Sequence, residues 1–93
     1  MLALHKTRQF RKSFRRVFRG PAYNEDDFVS VVDHLQRRKP LAPHYKDHAL
    51  QGSFCGEREC HLKSGLLLLY HVREEDDMLV LFDIGTHTDI FGR

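Results

Sequence analysis

The apolar residues of this chain change period once, and that change decides the kind of fold open to it. Between Thr7 and Lys39 they recur at helical spacing, and from Phe54 onward they come in strand-length runs. Phe10, Phe14, Val17 and Phe18 fall within about a 100° arc at 100° per residue, which predicts an amphipathic helix starting near Thr7. Gly20-Pro21 ends it, because glycine suits the position past a helix end and proline cannot continue one. A second helix has a clearer start. Asn24 can cap it, and Glu25, Asp26 and Asp27 place negative charge where the helix dipole favours it. Phe28, Val31, Val32 and Leu35 form its apolar stripe. Arg37, Arg38 and Lys39 occupy its last turn, and Pro40 stops it.

The remaining segments read as strands. Leu2-Ala3-Leu4 is a short first strand, and a loop runs from Leu41 to about Ser53. Phe54–Leu62 is a strand candidate interrupted by Gly56. Lys63-Ser64-Gly65 makes a turn, Leu66–Arg73 is a strong strand, Glu74–Asp77 is a solvated turn, and Met78–Ile84 is another strong strand. Such short connections favour antiparallel neighbours, so the last three strands should form a meander. The order β-α-α-β-β-β gives an α+β fold, with an antiparallel sheet and both N-terminal helices on one face. Ninety-three residues leave room for a single domain, 1–93.

Charge is unevenly placed. Residues 1–20 hold Lys6, Arg8, Arg11, Lys12, Arg15, Arg16 and Arg19 with no acid, whereas the rest of the chain carries 8 basic and 13 acidic residues. From Arg8 to Arg19 the cations fall opposite the apolar stripe, giving the first helix a wholly basic outer face. Such a face suits an anionic partner: RNA, DNA, a membrane surface or an acidic protein. The longest apolar stretch, Leu66–Tyr70, is far short of the roughly 18 residues of a membrane span. The basic start lacks an apolar core and a cleavage site, so no signal peptide is expected and the protein is expected to be cytoplasmic. In an extended segment Cys55 and Cys60 would sit roughly 16 Å apart on opposite faces, too far for a disulfide. CxxxxC is no zinc spacing either, so both are expected as reduced thiols.

Histidine is the unusual count, at seven of 93 residues. His5 and His44 read as solvated, His34 lies off the apolar stripe of its helix, and His71 sits late in a strand. His48, His61 and His87 come from three separate segments that could converge at one end of a sheet. Two chemistries use such a group. One is a histidine metal site with an open position for water. The other is metal-independent RNA cleavage, in which one group takes the ribose 2′-OH proton and another protonates the leaving 5′-oxygen. Fixed cations would stabilise the phosphate, and Lys46 and Arg58 are near in sequence. Unrelated surface histidines are the third possibility. GxGxxG, GxxxxGK[ST], HExxH, CxxC and GxSxG are all absent.

The segment Tyr45-Lys46-Asp47-His48-Ala49-Leu50-Gln51-Gly52-Ser53, followed by Gly56, Arg58-Glu59 and His61, resembles the YafQ branch of the RelE/ParE toxin superfamily. Gly85-Thr86-His87 with Phe91-Gly92 resembles the same branch. The likeness covers roughly the C-terminal half. It implies a type II toxin that cleaves mRNA on ribosomes without a cofactor or metal, on the compact RelE-like fold. It implies a cognate antitoxin of the DNA-binding, ribbon-helix-helix kind, through which the toxin contacts DNA indirectly. It assigns His48, His61 and His87 as catalytic and Phe91 as a substrate contact. Lys46, Arg58 and Lys63 would hold phosphate, and the basic helix face (Arg8, Arg11, Lys12, Arg15, Arg16, Arg19) would dock on ribosomal RNA. One departure stands out: Gly65 and Leu66 occupy the places of the family's functional Asp and its large neighbour, which leaves open weaker activity, substitution by Asp47 or Glu59, or stabilisation of phosphate charge by Lys63 instead. The competing reading is a non-nucleolytic inhibitor or binding protein on the same fold, ParE-like or catalytically decayed.

Overall fold

The structure, a computed structural model, describes residues 1–92. Strand β1 (Ala3–Lys6) leads into helix α1 (Arg8–Val17) and then helix α2 (Glu25–Gln36). After a 3₁₀ turn at Pro43–Tyr45 come β2 (His48–Ala49), β3 (Arg58–His61), β4 (Leu67–Arg73), β5 (Met78–Gly85) and helix α3 (His87–Phe91). The five strands form one sheet in the order β1-β5-β4-β3-β2. The β3-β4-β5 meander is antiparallel, as the short connections predict. The sheet as a whole is mixed, not antiparallel, because β1 runs parallel to β5. A parallel pair needs a long crossover between its strands, and the two helices with the rest of the sheet supply it. No helix among the described residues is long and apolar enough to cross a membrane.

Thr7 fixes α1 to the sheet. Its hydroxyl caps the helix by accepting from Phe10 N at 3.0 Å and donates to Phe82 O of β5 at 2.8 Å. Phe10, Ser13 and Val17 are the buried positions of α1, and Phe14 stacks between Phe10 and Phe18. Phe18 was expected on the buried stripe, yet it is exposed: the helix ends at Val17 and the chain turns away there. Asn24 caps α2 as expected, accepting from Asp27 N at 2.8 Å. That helix stops at Gln36, earlier than its basic run suggests. Arg38 adopts a left-handed conformation (φ 57°), while the Arg38 and Lys39 amides close on Leu35 O and His34 O. Arg38 then reaches Glu74 with two hydrogen bonds, at 2.7 and 3.2 Å, pinning this corner to the β4-β5 turn.

Two apolar layers result. On one face of the sheet α1 and α2 cover Cys60, Leu68, Tyr70, Leu79 and Leu81. On the other, α3 and the loop before β3 cover Leu67 and Leu69, through Ile90, Leu50, Phe54 and Phe91. The strand expected from Phe54 begins only at Arg58. Gly52 and Gly56 take positive φ (69° and 101°), and residues 52–54 form a tight turn instead. The tail, for which no helix was expected, forms α3, whose Thr86–Asp89 capping box satisfies its first amides.

Candidate active site

Strand alternation sorts the site residues. On β3, Arg58 pairs across the sheet with Tyr70 and Cys60 with Leu68, so both belong to the helix-covered face. Glu59 pairs with Leu69 and His61 with Leu67, on the opposite face. His48 is the cross-strand partner of Glu59 on β2 and joins them there. Leu67 is in turn opposite Gly85 at the end of β5. His87, two residues on, therefore starts about two strand spacings from His61, roughly 10 Å in backbone terms. Its ring centroid is 4.9 Å from that of Phe91, which meets Phe54 edge-on at 5.1 Å. All three sequence-predicted histidines and Phe91 thus lie on or beside the face away from α1 and α2, two histidines on one side and His87 at the other.

The tightest contact is between His48 and Glu59. Nε2 of His48 is 2.9 Å from Glu59 Oε2, and Glu59 is only 5% exposed. Nδ1 of the same ring is 2.6 Å from the Lys46 carbonyl oxygen. Both ring nitrogens therefore meet oxygen acceptors. A neutral imidazole has one N–H and can serve only one of them. The His61 ring lies 6.2 Å from His48 between centroids. Ligand atoms of His48, Glu59 and His61 fall within 4.8 Å of one another, a set of imidazole and carboxylate donors that could also hold a transition metal.

The cations expected to hold phosphate are placed differently from one another. Arg58 lies on the helix-side face, where its Nε donates to Asp47 Oδ1 at 3.3 Å. The same oxygen accepts from Tyr70 OH at 2.5 Å. The Tyr70 hydroxyl is pushed well above its ordinary range, by burial first and then by the Asp47 carboxylate, so it remains a donor. Arg58 is thus turned away from the histidines and belongs to an Asp47–Arg58–Tyr70 cluster that anchors the start of β2. Lys46 and Lys63 are exposed, and their backbones are committed: Lys46 O to His48, Lys63 N to Asp27 Oδ2 at 2.9 Å. Of the two substitute carboxylates, Glu59 faces His48 and Asp47 does not.

In the sequence Asp27 stands out only as a first-turn charge. It is 5% exposed, and Tyr45 OH also donates to its Oδ1 at 2.9 Å. Periodicity gives no hint of this, since the two donors come from distant loops. Among the remaining histidines, His34 bonds Ser30 O at 2.8 Å, His71 bonds Glu57 at 2.9 Å, and His44 packs on Tyr45. Both cysteines are free, with Cys55 exposed and Cys60 buried. Burial, reinforced by Asp47, Asp27 and Glu59, pushes the Cys60 thiol up to about 12.

The basic face of α1 is solvent-exposed. With β1 it frames an open groove of about 650 Å³ lined by His5, Lys6, Arg8, Arg11, Lys12 and Arg15. Arg16 lies on another side of the helix and approaches Asp89 of α3 at 3.6 Å. Arg19 sits over the Phe18 ring at 5.6 Å.

The family described as bacterial toxin of type II toxin-antitoxin system, YafQ, matches residues 2–92. An mRNA interferase toxin YafQ from Escherichia coli K12 is 43% identical over 54 residues, 57% of this chain. The match spans only 55% of that curated relative's length. Among solved structures, a metal-bound toxin from Helicobacter pylori superposes with a TM-score of 0.89 at 35% identity, covering 98% of this chain and all of that one. YafQ from Escherichia coli superposes at 0.86 with 25% identity, covering 99% of this chain and all of the other. YafQ in its complex with DinJ gives 0.83 at 26% identity, again covering 99% and 100%.

Proposed function

The chain belongs to the YafQ family of bacterial type II toxins, and from that premise we propose that it is a ribosome-dependent, metal-independent mRNA endonuclease. The observation that carries this reading is the grouping of His48, Glu59 and His61 on one sheet face, with His87 and Phe91 at its margin. In the reaction, a ribose 2′-oxygen attacks the adjacent phosphorus and the bond to the 5′-oxygen breaks. The products are a 2′,3′-cyclic phosphate and a free 5′-hydroxyl. The 2′-OH proton passes to the His48–Glu59 pair, in which the buried carboxylate 2.9 Å from the ring stabilises the positive charge that the imidazole gains. His61, beside it, stabilises the phosphate as charge develops, assisted by the exposed Lys46 and Lys63. His87 protonates the leaving oxygen, and Phe91 stacks on a base next to the scissile bond. Arg58 orders β2 from behind through Asp47, a narrower role than holding the phosphate.

The basic face of α1 docks on ribosomal RNA, through charges that a phosphate backbone would neutralise. The cognate antitoxin is the second partner, and the YafQ–DinJ complex of the relative supports that reading. An antitoxin of ribbon-helix-helix type would link the toxin to DNA. The test is to mix the protein with ribosomes programmed by a defined mRNA, with and without EDTA, and to map the fragment ends. Cyclic-phosphate ends that persist in EDTA are expected. Intact mRNA, together with undiminished toxicity of His87→Ala in cells, would leave the non-nucleolytic inhibitor.

A further inference from the structure

We infer that Asp27, on the far side of the sheet from the reacting groups, is a positioning residue that sets the spacing of His48 and His61. Its carboxylate has one oxygen on each of two loops. Oδ1 accepts from Tyr45 OH at 2.9 Å and Oδ2 from Lys63 N at 2.9 Å. Tyr45 immediately precedes Lys46, whose carbonyl holds His48 Nδ1 at 2.6 Å. Lys63 follows His61 by two residues. A single side chain on α2 therefore ties the segment entering one histidine to the segment leaving the other.

The local backbone needs such a tie. Lys46 is held at φ 50° and Ser64 at φ 59°, both left-handed conformations that a non-glycine residue adopts at a cost. Neither loop has regular structure around it: the first is a three-residue 3₁₀ turn, the second a three-residue turn with a reversed residue inside. The Asp27 carboxylate is buried and its two bonds are part-buried, where losing a partner costs more than at the open surface. Helix α2 is itself anchored by its Asn24 cap and by Val31, Val32 and Leu35 in the core, so Asp27 is a fixed post. The Tyr45 hydroxyl is kept protonated by burial and by Asp27 itself, so it acts as a donor.

This inference rests on the endonuclease reading for its catalytic readout only. The variants are Tyr45→Phe, which removes one bond and leaves the ring in place, Asp27→Ala, which removes both, and Asp27→Asn. An asparagine can still accept from Lys63 N through its oxygen and donate from its amide to the Tyr45 hydroxyl, which can turn to accept. The conservative variant should therefore restore function. In the programmed-ribosome assay, Asp27→Ala should lower kcat by about 10²-fold with KM unchanged, as expected for misplaced reacting groups. Tyr45→Phe should fall between it and the wild type, and Asp27→Asn should stay near the wild type. The imidazole Cε1–Hε1 NMR signals of His48 and His61 should move in Asp27→Ala and Tyr45→Phe and stay in place in Asp27→Asn.

Wild-type kcat in folded Asp27→Ala or Tyr45→Phe would overturn the inference, whatever the spectra show. If Asp27→Ala does not fold, Tyr45→Phe decides. If the wild-type protein cleaves nothing, the endonuclease reading fails on its own. The positioning is then decided by the histidine signals: displacement in Tyr45→Phe upholds it and unchanged signals refute it.

Discussion

His48 and Glu59 stand directly opposite one another on β2 and β3, with Nε2 and Oε2 2.9 Å apart and the carboxylate shielded from solvent. Removing either partner leaves the other with an unbalanced contact. Glu59→Gln keeps the shape but cannot take a proton, so kcat for mRNA cleavage should fall by about 10²–10⁴-fold. His48→Gln should fall in the same range, and the double variant should fall no further than the worse single one, because the two act as a unit. Single-turnover cleavage on programmed ribosomes gives all three values, and additive losses would show that the residues act separately.

The pairing that brings Glu59 into the site could not be read along the chain. His48 and Glu59 are eleven residues apart, and β2 has only two residues, too few for a recognisable period. Alternation along β3 was readable in principle. It puts Arg58 and Glu59 on opposite faces, and on that ground Arg58 could have been separated from the histidines. The helices were legible because Asn24, Gly20-Pro21 and Pro40 punctuate them. The parallel seat of β1 was not, since a four-residue strand carries no mark of its partner's direction. The small helix at His87 had a signal, Thr86 with Asp89 three residues on, that its brevity obscured.

The same three donors make the site sensitive to transition metals. His48, Glu59 and His61 offer ligand atoms within 4.8 Å of one another, and imidazole with carboxylate suits Zn²⁺ or Cu²⁺. An ion bound there would occupy the lone pairs that the reaction needs. Added Zn²⁺ or Cu²⁺ should therefore slow cleavage, and EDTA should restore the full rate without itself reducing that of the untreated protein. Loss of cleavage in EDTA alone, recovered by metal, would reverse the sign and defeat the metal-independent reading.

Charge reversal on α1 separates docking from chemistry. Arg11, Arg15 and Arg19 are exposed, so changing all three to Glu should leave the thermal midpoint nearly unchanged while abolishing ribosome association. Arg11 and Arg15 line the groove beside β1, whereas Arg19 sits over Phe18. Arg11→Glu with Arg15→Glu should thus account for most of the loss. Sedimentation with ribosomes at several salt concentrations measures it, and the association of the wild type should weaken as salt rises. Binding equal to that of the wild type would show that the face is merely solvated.

The two thiols should behave as opposites. Cys55 is exposed, whereas Cys60 is fully buried and its thiol is pushed up from 9.0 to about 12, by burial first. A thiol reagent at neutral pH should label one site per folded molecule and two only after unfolding. The linkage follows from the raised native value. The unfolded chain loses the Cys60 proton near 9 while the native one keeps it, so this group's stabilisation is complete below 9. It is lost progressively as pH rises from there through about 12. Cys60→Ala should remove that part of the alkaline decline, which denaturant titrations between neutral pH and pH 11 would detect.

Gly65 tests whether the carboxylate missing from the family's usual place matters. Its φ is 80°, and Ser64 before it is also left-handed at 59°. A Cβ at 65 would meet nothing within 4 Å, so the main cost of Gly65→Asp is in the backbone. Left-handed conformations cost most residues about 1–2 kcal/mol, with aspartate among the better tolerated. The variant should fold with a lowered thermal midpoint. It should gain no activity, because His48 already has a buried carboxylate at 2.9 Å in Glu59. A rise in kcat in Gly65→Asp, surviving in the Glu59→Gln background, would show instead that the site is short of a carboxylate and that Glu59 is not its replacement.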